Sequence, residues 1–259
     1  MALKQAKIIT ITSAKGGTGK TTLALSLTGL LSEEKKKILL LDADLYGCGI
    51  ALSTKANPDK TLFTLVDDLK NNRYQTEEDY VTKYNEYIHI LPAPKDPRLS
   101  NKISSKYLSL ALSKLKTRYD YIIMDTNHIM NEFNLVALDA SDEILYVVTN
   151  DPVDLKNMRT IVSIFTDIEK TNYKIILNEA LKSRLGYLTK YDIRHMIHDN
   201  IDYIIPSSFF IKNIDTYTLD GKIITLDKKI KTHYKKGINI LEKIKASILM
   251  EEEWFNCIN

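Results

Sequence analysis

Ten residues, Ser13-Ala-Lys-Gly-Gly-Thr-Gly-Lys-Thr-Thr22, constrain the fold of this chain more than any other stretch. They hold three of the nine glycines in 259 residues. Before them, Lys7-Ile-Ile-Thr-Ile-Thr12 alternates and is rich in β-branched residues, which is a strand pattern. After them, Thr21 to Leu31 is apolar at helical spacing and contains good helix formers such as Ala24, Leu25 and Leu27. A glycine-rich turn between a strand and a helix start is a phosphate cradle. The first amides of a helix have no intrahelical partner and sit at the positive end of the macrodipole. Gly16, Gly17 and Gly19 let the backbone approach phosphate oxygens with no Cβ in the way.

The rest of the chain repeats the same alternation. Strands are predicted over 6–12, 37–42, 87–91, 120–125, 143–149, 173–178 and 201–205. Helices are predicted near 20–33, 61–70, 103–117, 131–140, 153–169 and 189–198, with a final one over about 228–250. Ile38-Leu-Leu-Leu41 and Ile144-Leu-Tyr-Val-Val148 are unbroken apolar runs, as strands covered on both faces require. The expected fold is therefore α/β, a doubly wound, mostly parallel sheet with helices on both faces. No repeat or composition break divides the chain, so one domain over 1–259 is expected. The polar, tyrosine-rich tract from Asn71 to Asn85 reads as a surface excursion.

Composition narrows the function. A net charge of +3 does not argue for nucleic acid by itself. Cys48 and Cys257 are the only cysteines and lack metal-ligand spacing, which sets aside disulfide scaffolds and zinc sites. The opening MALKQAKIITI has no signal-peptide pattern, and no apolar run approaches the ~18 residues of a membrane span. A cytoplasmic protein is expected.

Ligands of open α/β sheets bind beyond the C-terminal ends of strands. Two predicted strands end in carboxylates: Leu-Leu-Leu-Asp42-Ala-Asp44 and Tyr-Ile-Ile-Met-Asp125-Thr. Carboxylates beside a phosphate loop suit Mg²⁺, which takes few protein ligands and keeps several waters. Helix capping or a solvated turn is the plain alternative for either one alone.

The strict loop pattern G-x-x-x-x-G-K-[ST] is not met, because its first glycine falls on Ala14. In its place stands Lys15-Gly-Gly-Thr-Gly-Lys-Thr-Thr22, with a second lysine five residues ahead of Lys20. This resembles the deviant phosphate loop of the MinD/ParA family of ATPases, a P-loop NTPase fold. The resemblance implies that Gly16, Gly17, Thr18 and Gly19 wrap the phosphates of ATP or ADP. It implies that Lys20 holds the β/γ-phosphates, Thr21 binds Mg²⁺, and Thr22 lies near the α-phosphate. Lys15, its side chain free to point outward, would reach the nucleotide of a second copy in an ATP-bound homodimer.

The same resemblance makes Asp44 the residue that orients the attacking water. Asp42 becomes a support of the metal shell, and Asp125 the carboxylate that holds a Mg²⁺-bound water. Asn178, ending Tyr173-Lys-Ile-Ile-Leu-Asn178, and Pro206, ending Asp202-Tyr-Ile-Ile-Pro206, match positions that contact adenine. One departure stands out. The family usually follows the Asp125 position with a small or proline-rich turn, and here the chain reads Asp125-Thr-Asn-His128.

These matches imply an ATP-hydrolysing dimerisation switch, slow without a partner. Residues 89–126, with Leu91-Pro-Ala-Pro-Lys-Asp-Pro97, resemble the CpaE/TadZ branch that helps place Flp-type pilus and secretion machinery. Ile50-Ala-Leu and Asn57-Pro58 add to that likeness. Many members of the branch carry a receiver-like domain ahead of the ATPase core, which is not expected here. The alternatives are a ParA/MinD-type ATPase of plasmid or chromosome partitioning or division-site placement, and a nucleotide-binding scaffold that does not hydrolyse. A nitrogenase-reductase-like role is disfavoured by the lack of paired cysteines for a bridging cluster.

The helix over 228–250 is basic and amphipathic. Such a helix can lie on anionic lipid, which would bring the protein to the inner face of the membrane or to a cell pole. Its apolar stripe is read here as packing on the protein's own core. Non-specific DNA contact is left open, with no helix-turn-helix spacing to support it.

Overall fold

In the computed structural model, which describes residues 5–179 and 188–258, an eight-stranded sheet forms the centre of the molecule. Its strands are β1 (Lys7–Thr12), β2 (Ile38–Ala43), β3 (Thr82–Lys83), β4 (Ile88–Leu91), β5 (Tyr121–Thr126), β6 (Glu143–Thr149), β7 (Tyr173–Asn178) and β8 (Tyr203–Ile205). They lie in the order β3-β4-β2-β5-β1-β6-β7-β8, and all pairs are parallel except β3 with β4. The strand before the glycine loop therefore sits inside the sheet, between β5 and β6. This is the doubly wound, mostly parallel architecture expected from the alternation.

The helices are α1 (Lys20–Ser32), α2 (Gly49–Thr54), α3 (Leu62–Lys70), α4 (Pro97–Ser100), α5 (Ser105–Leu115), α6 (Glu132–Asp139), α7 (Pro152–Asp167), α8 (Lys190–Ile197), α9 (Ile214–Asp220), α10 (Lys228–His233) and α11 (Lys235–Ile258). Successive strand residues point to opposite faces, so the unbroken apolar runs feed two cores. Ile9, Ile11, Ile38 and Leu40 pack on one face with Leu23 and Leu27 of α1 and Leu241 and Ile244 of α11. Ile8, Leu39 and Leu41 pack on the other with Leu65 of α3, Leu112 of α5 and Ala137 of α6. The second face continues under α7 and α8, where Leu155, Phe165 and Ile193 bury Tyr146 and Val148. α1 is tucked in so closely that a Cβ at Gly29 would fall 2.3 Å from the Thr225 hydroxyl.

The tract 71–85 runs over the surface as expected and is anchored there: Tyr80 and Val81 are buried, Tyr80 stacks on Tyr74 and donates to Asp68 at 3.0 Å, and β3 edges the sheet. Two parts differ from the sequence expectation. The short helices α2 and α9 were not foreseen, since six or seven residues are too few to show a helical period. The single helix expected over 228–250 is two helices broken at Tyr234, whose φ of −107° and ψ of 38° leave the helical region. The break seats Gly237 against Phe209, where a Cβ would come within 2.2 Å of the ring. Ile238, Leu241, Ile244 and Ile248 of α11 are buried, so that stripe does face the protein's own core. No described helix is long and apolar enough to cross a membrane.

Candidate functional site

Parallel strands bring their C-terminal ends to one edge, and there the glycine loop meets both carboxylate-ended strands. The loop leaves β1 and enters α1 through Gly17 and Gly19, at φ of 75° and 97°. This left-handed backbone favours glycine, and Gly19 is also tight: a Cβ there would stand 2.8 Å from the Asn178 amide nitrogen. That amide donates to the Thr18 carbonyl at 2.9 Å, tying the end of β7 to the loop. The Thr18 hydroxyl is buried without a partner among the described residues.

The Lys20 ammonium lies under the loop, donating to the Ser13 hydroxyl at 2.9 Å, while Ser13 donates to the Lys15 carbonyl at 2.7 Å. Lys20 is buried, and that burial lowers its pKa against the raising charges of Asp125, Asp44 and Asp154. An anion in the loop would supply a close counter-charge for it.

Asp42 and Asp125 are register partners on β2 and β5, so both side chains emerge on the same face at the same height. That face is the one α1 covers. Thr21 Oγ1 donates to Asp125 Oδ2 at 2.6 Å, and the Asp44 amide donates to Asp42 Oδ1 at 3.1 Å. The other oxygens, Asp42 Oδ2 and Asp125 Oδ1, are buried without partners among the described residues. Burial pushes the Asp42 carboxyl well above its ordinary range, and the nearby Asp125 and Asp44 charges push it further. Burial pushes Asp125 up to about 7, against the Thr21 hydrogen bond and the Lys20 charge.

Two orphaned carboxylate oxygens beside a threonine hydroxyl and a phosphate cradle fit a hard divalent cation such as Mg²⁺. No group of three or more His, Cys, Asp or Glu side chains forms among the described residues; Mg²⁺ beside phosphates takes most of its ligands from water and phosphate. Asp44 stands beyond them, half-buried, its Oδ1 accepting from the Gly47 amide at 3.1 Å.

On the other side of the loop a cavity of about 220 Å³ opens between α1, β7 and β8. Thr22, Asn178 and Pro206 line it, joined by Phe209 and Ile211. The sequence reading had Asn178 and Pro206 there and missed Phe209 and Ile211. These two follow Pro206 in a loop without periodicity, so no pattern marked them.

Lys15 corrects an expectation. Its side chain is not free: Nζ lies 3.2 Å from Asp151 Oδ1. Asp151 caps α7, accepting from the amides of Val153 and Asp154, with Pro152 at the first helical position. The Asp151-Pro152 pair signals a helix start in the sequence, but only the tertiary fold sets it opposite Lys15. The Asn127-His128 stretch is also ordered. Asn127 is buried, and the exposed His128 ring lies against Gly16.

Comparisons with known proteins agree with this architecture. A family model described as an AAA domain matches residues 6–183. The chromosome partitioning protein ParA of Myxococcus xanthus is 31% identical over 195 residues, covering 73% of this chain and 66% of that protein. Among solved structures, a ParA family ATPase from Chlorobium tepidum superposes with a TM-score of 0.80 at 20% identity, covering 94% of this chain and 99% of the other. The septum site-determining protein MinD of Pyrococcus horikoshii, complexed with Mg-ADP, gives 0.75 at 23% identity over 94% and 96%.

Proposed function

The chain belongs to the MinD/ParA family of ATPases, and from that premise we propose that it is a Mg-ATP-driven dimerisation switch acting in DNA partitioning or division-site placement. The observation that carries the nucleotide reading is the meeting, at one sheet edge, of the glycine loop with two register-paired carboxylates whose buried oxygens lack partners. In this reading the loop amides and Lys20 bind the β/γ-phosphates, Thr22 lies near the α-phosphate, and Asn178 and Pro206 bound the base. Thr21, Asp42 and Asp125 hold the metal shell. Bound Mg²⁺ would offset charge on the phosphates and on the two carboxylates. Asp44, half-buried beyond the two carboxylates, would orient a water for attack on the terminal phosphate.

Lys15 is the trans-acting group. Its resting pair with Asp151 is partly exposed, the lysine side chain at 43% and the aspartate at 25%. Pairs of that kind are worth ~1 kcal/mol or less. A partner's γ-phosphate therefore competes easily for the ammonium, and the ligand can control assembly. The named relatives favour partitioning or division-site placement. The CpaE/TadZ pilus reading rests on residues 89–126, whose Leu91–Pro97 run here ends β4 and caps α4 through Asp96. A local structural role accounts for that run, so the pilus role stands second.

Sedimentation velocity with ADP and with a non-hydrolysable ATP analogue tests the switch. Wild type is expected to dimerise with the analogue alone, and Lys15→Ala to remain monomeric while still binding one nucleotide. Dimerisation of Lys15→Ala equal to wild type would refute the trans-acting lysine. ATP binding without phosphate release would instead identify a scaffold that does not hydrolyse.

A further inference from the structure

We propose that the His128 imidazole is a contact for the terminal phosphate, one that makes this site favour a nucleoside triphosphate over a diphosphate. The inference rests on the nucleotide-binding reading above and concerns the residue at which this chain departs from its family's turn.

The first support is position. A Cβ placed at Gly16 would lie 3.7 Å from both Cε1 and Nδ1 of His128. The nitrogen-bearing edge of the ring therefore faces the phosphate loop across the space that a Cβ at Gly16 would fill. The loop also has a direction. Its base-side cavity is formed by Thr22, Asn178 and Pro206, next to β7 and β8. The orphaned carboxylates lie on the opposite side, on β2 and β5. A nucleotide with its base in the cavity runs its phosphates toward β5, and His128 leaves the end of β5 three residues after Asp125. On that course the ring would stand at the last phosphate.

The second support is rigidity. Thr126 donates its hydroxyl to the Ile11 carbonyl at 3.0 Å. Asn127 Oδ1 accepts from the Ile129 amide at 2.8 Å and from Asn134 Nδ2 at 2.6 Å, and the same Asn134 amide donates to the Ile129 carbonyl at 2.6 Å. Asn127 and Asn134 are both buried, and buried amides keep their partners because losing one is costly. The backbone on both sides of His128 is pinned by this pair. The ring is exposed and makes no hydrogen bond among the described residues. A neutral imidazole carries one N–H donor and its protonated form two, so a donor is held ready beside the cradle. A diphosphate leaves it nothing to contact.

The test is equilibrium binding of a fluorescent non-hydrolysable ATP analogue and of fluorescent ADP, both with Mg²⁺. Protein concentrations are kept where sedimentation shows monomer. His128→Ala is expected to weaken the triphosphate by about tenfold and ADP by less than about twofold. His128→Gln, which keeps an N–H donor, should recover part of the loss. Thermal unfolding of the exposed-site variants checks that both remain folded. Equal weakening of both nucleotides, or of neither, with wild type binding normally, overturns the role of His128 and leaves the nucleotide site standing. Failure of wild type to bind either nucleotide overturns both.

Discussion

Replacing Asp125 by asparagine should make the nucleotide-free protein more stable at alkaline pH while weakening its hold on Mg-nucleotide. Asp125 is 1% exposed, and its pKa is pushed from 3.8 to about 7. For an acid raised in this way, the folded state holds the proton more tightly than the unfolded chain does. Its contribution to stability is full below the unfolded value and is lost as pH rises toward 7. At ~1.4 kcal/mol per factor of ten in proton affinity, the ionised carboxylate costs the empty fold on the order of 4 kcal/mol. Asparagine carries no charge, and its carbonyl oxygen can still accept the Thr21 hydroxyl. Relieving the Asp125 charge also eases Asp42, so the two effects add. Urea unfolding from pH 5 to 8.5, without Mg²⁺ or nucleotide, should show wild type losing stability relative to Asp125→Asn as pH rises. At pH 5 about 1.6 kcal/mol of that cost is already present, and the gap should widen by about 2.7 kcal/mol more toward pH 8.5. With Mg-ADP present the order should reverse, because only wild type gains the full linkage from binding. Parallel pH profiles, or wild type gaining on the variant with rising pH, would refute the buried, uncompensated carboxylate.

Lys20→Ala should abolish tight ATP binding in a folded protein, because the ammonium reaches into the loop and not into the apolar core; fluorescent-nucleotide titration measures it. Asp44→Ala should bind Mg-ATP, fail to release phosphate and accumulate as the ATP dimer, seen by light scattering beside a phosphate-release assay. Gly19→Ala should lower both stability and nucleotide affinity. Its φ of 97° alone costs a non-glycine residue roughly 1–2 kcal/mol, and the added Cβ would press on the Asn178 amide from 2.8 Å. Thermal unfolding and nucleotide titration should shift together.

The sequence by itself determined the sheet and the cradle. Local pattern is enough for both: short continuous apolar runs rich in β-branched residues fit strands covered on two faces, and three glycines between a strand and a helix leave few other uses. It also placed Asp42, Asp44 and Asp125, because strands that are parallel end on one edge whatever their order. The order itself needed the fold. That Asp42 and Asp125 share a register, each with a buried oxygen that has no partner among the described residues, follows from β2 lying against β5, 83 positions apart in the chain at that register. The same is true of Lys15 with Asp151, 136 residues away, and of Asn178 with Thr18, 160 away. Short helices such as α2 and α9 carried too few residues to show a period, and the break at Tyr234 answers to Phe209 from another loop. His128 shows the division most sharply. The sequence shows that it departs from the family's turn, and the tertiary structure alone sets its ring against Gly16, because β5 and β1 are neighbours and a buried pair of amides fixes the turn between them.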